Sequence, residues 1–163
     1  MKARKITPDL KVELIEIGHG MNEAKLPHKF IAAAVETAFK FEGVYNLMKM
    51  WVEEDDKKER DEIVADIQDL IDDCSQKEKV EGVYVRFDDL ERIAKNVREF
   101  KDNLRLLVDK HGGIKKLAEL TEIPQPSLSR FFGSATMPRR VTLLKIAKAL
   151  GLSQVEIATE WSR

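Results

Sequence analysis

The sequence predicts an all-α, mainly helical protein, and three features of its 163 residues indicate this fold class. Apolar residues recur at the spacing of a helix face through most of the chain, between capping residues, prolines and glycines. Hydrophobic residues make up 43% and charged residues 35%, which is enough for a modest core and its polar cover. Only one short segment has the β-branched and aromatic character of a strand. We therefore expect one or two small helical domains.

The first helix is predicted to begin at residues 7–9, whose sequence is Thr-Pro-Asp. Thr7 supplies a cap, Pro8 fits the first helical position, and Asp9 suits the positive end of the helix dipole. Gly18 offers a stop. A strand around Val12 is the weaker alternative.

A longer apolar pattern begins after Pro27 and predicts one long helix, which Gly43 either bends or divides in two. Its aromatic residues are expected to lie mostly in a core. They are Phe30, Phe39, Phe41, Tyr45 and Trp51.

Further along the chain, the charged run at residues 53–62 predicts a solvated turn that enters the next helix. Apolar positions then predict that helix over residues 63–74. Residues 83–87 (Val-Tyr-Val-Arg-Phe) predict either a short strand or simply extended chain, because no second strand is obvious. A capping-box-like sequence at residues 88–91 begins a helix of about 22 residues, which should end at Gly112-Gly113.

Charge changes sign along the chain. Residues 1–96 carry a net charge of −6 and residues 97–163 carry +5. We place the domain boundary there, between a helical N-terminal region for dimerisation or partner binding and a basic C-terminal domain. An acidic half joined to a basic half suggests that only the second half binds a polyanion.

Several classes of protein are disfavoured. Cys74 is the single cysteine, and the pattern places it in a helix core as a small apolar residue. The three histidines lie in separate segments, so we expect no metal site and no cofactor. Because the chain also has no phosphate-binding glycine loop and no nucleophile motif, we do not expect an enzyme. No apolar window is long enough to span a membrane, and we expect a soluble, cytoplasmic protein.

Beyond Gly113 the predicted helices become short. They cover residues 114–121, 125–132 and 141–150, and a last helix begins with the cap at Ser153. Two short helices joined by the three-residue turn at 122–124 predict a helix-turn-helix.

A family resemblance rests on two stretches. Ile114–Gly133 reads IKKLAELTEIPQPSLSRFFG, and Leu143–Leu152 reads LLKIAKALGL. Together they resemble the phage-repressor-type (Cro/cI, XRE) helix-turn-helix family, over roughly residues 100–160. The resemblance implies a five-helix DNA-binding domain, whose second short helix enters the major groove of double-stranded DNA. It also implies a homodimer on a palindromic operator.

The resemblance and the helical pattern together select the residues expected to contact DNA. Gln125 is similar to the family's principal base reader, and Arg130 is within reach of a guanine or a phosphate. Leu128 and Phe131 are expected to face the core, which leaves Phe132 pointing outward. The serines and the flanking cations are phosphate candidates. The full predicted set is Gln125, Pro126, Ser127, Ser129, Arg130, Lys115, Lys116, Arg139 and Arg140.

Three positions depart from the family pattern. Glu122 replaces the usual turn glycine, so it must either adopt a left-handed conformation or alter the turn. Pro124 replaces the usual capping Ser or Thr, and Pro126 replaces a second polar reader.

Three functions remain open at this point. The chain is predicted to be a sequence-specific transcriptional regulator, chiefly a repressor. The alternative is an antitoxin that regulates its own promoter and binds a basic toxin through its acidic N-terminal half. A third hypothesis is a protein-interaction module whose helix-turn-helix fold no longer contacts DNA.

Overall fold

The computed structural model describes residues 5–75, 90–134, 136 and 138–151, without the side chains of residues 90–96 and 140. These residues form eight helices and no strand, which confirms the all-α prediction for this part of the chain. The helices are α1 (Pro8–Glu23), α2 (His28–Lys40), α3 (Glu42–Glu53), α4 (Lys57–Ser75), α5 (Leu90–Lys110), α6 (Gly113–Thr121), α7 (Gln125–Gly133) and α8 (Arg140–Leu150). The predicted segment 83–87, the predicted cap of α5 and the fifth C-terminal helix lie outside the described residues.

The chain divides into two compact units. The first comprises Met1–Glu78 with Glu122–Ser127, and the second comprises Lys79–Thr121 with Leu128–Arg163. Residue 96, where the charge changes sign, lies within α5. The functional boundary that we placed there stays a prediction.

In the first unit, α1 packs against α2 and α3, and α4 packs against the same two helices. The centre of this core has no exposed surface at Leu14, Met48 and Ile67. Phe30, Tyr45 and Trp51 are buried, as predicted, and Phe39 and Phe41 are half-buried. Two polar contacts connect the helices at the rim of the core. The Tyr45 hydroxyl donates to Glu13 Oε2 at 2.7 Å, and Arg60 lies 4.6 Å over the Trp51 ring.

The α1 helix begins as predicted but does not end at Gly18. The Leu10 N–H donates to the Thr7 hydroxyl at 3.3 Å, and Pro8 occupies the first turn. Gly18 is buried inside the helix, where an added Cβ would lie 3.4 Å from Val35 Cγ2 and 3.5 Å from Ile31 Cγ2. The predicted stop at Gly18 was therefore wrong, since the helix continues to Glu23 and Gly18 lies within it, facing Ile31 and Val35 of α2 at ordinary contact distance.

The long pattern after Pro27 forms two helices, and the break is at Phe41 instead of Gly43. Phe41 has an extended backbone (φ −129°, ψ 118°), and its N–H donates to Thr37 O at 2.8 Å. Gly43 lies in the first turn of α3. The sequence pattern indicated the apolar faces of α2 and α3 but not the break between them, because both faces pack into the same core and the pattern continues across Phe41.

In the second unit, α6 packs against α5 and α8. Val97, Phe100, Leu104 and Val108 are the buried face of α5, at helical spacing. Gly112 and Gly113 follow α5 with positive φ angles of 110° and 82°, as expected for the predicted stop. Gly151 caps α8 in the left-handed conformation in the same way, with φ 70°.

Candidate nucleic-acid interface

The predicted helix-turn-helix segment consists of α6, a three-residue connection and α7. Glu122 begins the connection with φ 56°, so it adopts the left-handed conformation that the family's glycine would adopt. Ile123 and Pro124 are buried, and Ser127 N–H donates to Pro124 O at 3.0 Å as α7 begins. The departure at Glu122 is therefore accommodated by backbone strain and leaves the turn's length unchanged.

The buried face of α7 differs from the predicted one. Leu128 has no exposed surface and Phe132 is 5% exposed, whereas Phe131 is only half-buried. Our prediction that Phe131 faces the core and Phe132 faces outward was wrong. Positions four residues apart lie one above the other on a helix, and Leu128 and Phe132 have that spacing. The rings of Phe131 and Phe132 meet edge to face, with their centroids 4.9 Å apart.

The predicted contact residues of α7 are not equally accessible. Gln125 and Ser129 are exposed, and Pro126 and Arg130 are half-buried. The hydroxyl oxygen of Ser127 is buried and has no hydrogen-bond partner among the described residues. Ser127 therefore offers no hydroxyl to a duplex in this structure, and an interface on α7 would rely on the other four.

The flanking cations lie at the beginnings of two other helices. Lys115 and Lys116 are exposed in the first turn of α6, and Lys116 Nζ lies 3.6 Å from a carboxylate oxygen of Glu119. Arg139 is the N-cap residue of α8 and is half-buried. Arg140 is the first residue of α8, and its side chain lies outside the described residues.

The helix beginnings in this region carry no acidic residue. The first turns of α6, α7 and α8 are all without Asp or Glu. Three of the four helices of the first unit differ, since Asp9, Glu42 and Glu59 lie in the first turns of α1, α3 and α4, while α2 has no acidic residue there. Because a helix N-terminus is partially positive, the three later helices leave that charge available to an external anion.

Comparisons of the chain with protein-family models, with curated proteins and with solved structures found no match. Function therefore has to be inferred from the chain's own geometry. No helix among the described residues is long and apolar enough to cross a membrane. The same residues contain no group of His, Cys, Asp and Glu that would hold a metal ion, and Cys74 is a half-buried free thiol instead of the core residue predicted.

Sequence reasoning missed a row of three cations on α5, which we call the α5 cation row: Arg98, Lys101 and Arg105. Arg98 Nη1 donates to Phe132 O at 3.2 Å, and the Arg105 guanidinium lies 5.6 Å over the Phe132 ring. Lys101 Nζ donates to Ser134 O at 2.9 Å and to Ser134 Oγ at 3.2 Å. Their spacing of three and four residues was visible in the sequence, but it is also the ordinary spacing of a solvated helix face.

Lys101 is the unusual member of the row, since it is only 1% exposed. Its ammonium lies 4.7 Å from the centroid of the Phe131 ring, in addition to the two hydrogen bonds to Ser134. Burial, with a smaller contribution from the charge of Arg98, lowers the pKa of Lys101 from 10.5 to about 8. The side chain is therefore still mostly protonated at neutral pH.

The first unit has a cleft of its own, with a volume of about 640 Å³. Four glutamates and two cations contribute to its lining, together with the edge of Trp51: Glu13, Glu16, Glu23, Glu53, Lys49 and Arg60. Lys49 Nζ lies 4.0 Å from Glu13 Oε1, and Arg60 Nε donates to the carbonyl of Trp51 at 3.1 Å. The remaining negative charge makes the cleft suited to a basic group and unsuited to a phosphate.

Proposed function

We propose that the chain is a sequence-specific DNA-binding regulator that acts as a repressor and binds a palindromic operator as a homodimer. The observation that carries the proposal is the character of the first turns of α6, α7 and α8. None of them carries an acidic residue, and Lys115 and Lys116 on α6 and Gln125 on α7 are exposed. On α7, Gln125 and Ser129 supply the groups that would form hydrogen bonds with base edges. Lys115 and Lys116 supply charge for the backbone. Dimerisation and the palindrome rest on the family resemblance alone.

Accessibility assigns different tasks to these residues. Gln125 is exposed at the first position of α7, where the recognition helix of a helix-turn-helix contacts bases. Arg130 lies five residues further along the helix and is half-buried, which suits a contact with guanine or phosphate near the groove edge. Arg139, beside the N-terminus of α8, is suited to a phosphate contact.

The test is selection of bound sequences from a random duplex pool by the purified full chain, at about 50 mM salt and again at about 200 mM. We expect a two-fold symmetric sequence to be enriched, with affinity that falls steeply between the two salt concentrations. Failure to retain any duplex at the lower salt would refute the proposal and favour a protein-interaction module.

A second candidate, an antitoxin, is favoured by the cleft of the first unit. Its excess of glutamates would bind a small basic protein, while the helix-turn-helix regulated the promoter. The test is co-expression of the chain with the product of the adjacent gene. We expect a stable complex that Glu16→Lys with Glu23→Lys abolishes, while binding to the enriched duplex is unchanged. If no complex forms, or if the charge reversals leave it intact, the antitoxin function is refuted.

A further inference from the structure

The C-terminal end of α7 is where the α5 cation row makes its contacts. Helix α7 has nine residues, fewer than the roughly 12–15 that an isolated helix needs for even marginal stability in water. Its orientation must therefore be set by neighbouring groups. The last carbonyls of a helix have no acceptor role within it, and they carry partial negative charge. Phe132 O and Ser134 O each accept a hydrogen bond from a cation of α5.

Lys101 differs from Arg98 and Arg105 because its charged group is buried and has lost its hydration, whereas theirs lie at the surface. Arg98 also pairs with Asp102 at 3.0 Å, and Arg105 pairs with Asp109 at 3.0 Å, both on the surface. Lys101 is buried, and a buried ammonium is tolerated only where acceptors compensate the lost hydration. Its acceptors are the carbonyl and hydroxyl of Ser134 and the face of Phe131, all at the end of α7.

We propose that Lys101 is a positioning residue that fixes the C-terminal end of α7 and thereby the direction in which Gln125 and Arg130 are presented. The consequence for DNA rests on the proposed function, whereas the positioning of α7 does not. A methionine of similar length would fill the same space without a buried charge, and such replacements are often neutral or stabilising. The hydrogen bonds of the ammonium thus orient the end of α7, whereas a hydrophobic side chain would only pack against it.

The test compares Lys101→Met with the wild type and with Lys110→Met. Lys110 is an exposed lysine in the last turn of the same helix, so it is the matched control. Hydrogen exchange of the full chain reports the order of α7 through its last amides, including Ser134 N–H, which donates to Arg130 O at 3.1 Å. The second readout is affinity for the duplex enriched from the random pool.

We expect Lys101→Met to keep the midpoint of global unfolding or raise it, while the last α7 amides exchange at least about tenfold faster. Affinity for the enriched duplex should fall about tenfold or more, and Lys110→Met should change neither quantity. Lys101→Arg, which keeps the charge and the donors, should recover part of both losses. Unchanged exchange and unchanged affinity in Lys101→Met would overturn the proposal, and so would losses no larger than those of Lys110→Met.

Two further outcomes separate the inference from the proposed function. If the wild type binds no duplex but Lys101→Met still accelerates exchange in α7, positioning stands and DNA binding fails. If Lys101→Met does not fold, Ser134→Ala replaces it, since this change removes one acceptor and leaves the lysine. We expect a smaller acceleration of the same amides from Ser134→Ala, and its absence would contradict the positioning role.

Discussion

Three helices of the first unit, α1, α3 and α4, begin differently from α6, α7 and α8, whereas α2 has neither an acidic first-turn residue nor a side-chain cap. In the first unit α1, α3 and α4 carry an acidic residue in the first turn, and Thr7 and Asp56 side chains accept hydrogen bonds from first-turn amides of α1 and α4. In α6, α7 and α8 the first turn carries lysine, arginine or no charge. The first arrangement stabilises helices from within the chain. The second leaves their positive ends available to an anion, which is the property that the proposed binding of nucleic acid would use.

The largest expected effect concerns the packing that holds α7. Leu128→Ala removes a fully buried side chain and should lower the free energy of unfolding by about 2–5 kcal/mol. Leu120→Ala, at an exposed leucine of α6, should change it by less than about 0.5 kcal/mol. Urea denaturation followed by circular dichroism measures both. Equal effects of the two substitutions would show that α7 does not pack as described.

The pH dependence of stability tests the buried lysine. Because the pKa of Lys101 is about 8 when folded and 10.5 otherwise, the unfolded chain binds more protons between these values. The free energy of unfolding contributed by this group therefore rises with pH from about 8 to 10.5, and below pH 8 its burial penalty is present in full. Lys101→Met should remove this rise, which is on the order of 3 kcal/mol. A wild type and a variant with parallel profiles over this range would contradict the assignment.

The contacts with bases are expected to contribute less. Gln125→Ala and Arg130→Ala should each weaken binding to the enriched duplex by about 1–3 kcal/mol. Selectivity should relax at one base position for each variant. Lys115→Ala should instead weaken binding to all duplexes alike and reduce the salt dependence. Fluorescence anisotropy with matched duplexes distinguishes the two patterns, and unchanged affinity and selectivity in both of the first two variants would refute the placement of the reading face.

The smallest effect concerns the strained turn. Glu122 has φ 56°, a conformation that costs a non-glycine residue about 1 kcal/mol or more. Glu122→Gly should stabilise the chain by about 0.5–1 kcal/mol, because the relief of strain exceeds the added freedom of the unfolded chain. Glu122→Ala keeps the Cβ and should bring no such gain in thermal denaturation. A gain from alanine equal to that from glycine would assign the effect to the lost charge.

The sequence predicted the fold class, the start of α1 and the glycine stop after α5, and the left-handed conformation of Glu122 was one of the two alternatives that it left open. These are local properties, set by caps, by spacing and by the allowed backbone angles of single residues. The choice between Phe131 and Phe132 failed because two adjacent aromatics satisfy the pattern equally well. Only the neighbours of α7 decide which of them is buried.

Gly18 and Lys101 show the same limit in two forms. A glycine within a helix and a lysine on a helix normally indicate a stop and a solvated face. Here each is buried by residues distant in the chain, Val35 in one case and Ser134 in the other. Tertiary contacts of this kind leave no periodic signal in the sequence.

The central claim is that α7 and the starts of its neighbouring helices read a specific duplex. The most direct measurement is the ratio of the full chain's affinities for the enriched duplex and for a scrambled duplex of the same composition. At physiological salt we predict a ratio of about 10³ or more. Equal affinity for the two duplexes would contradict the claim.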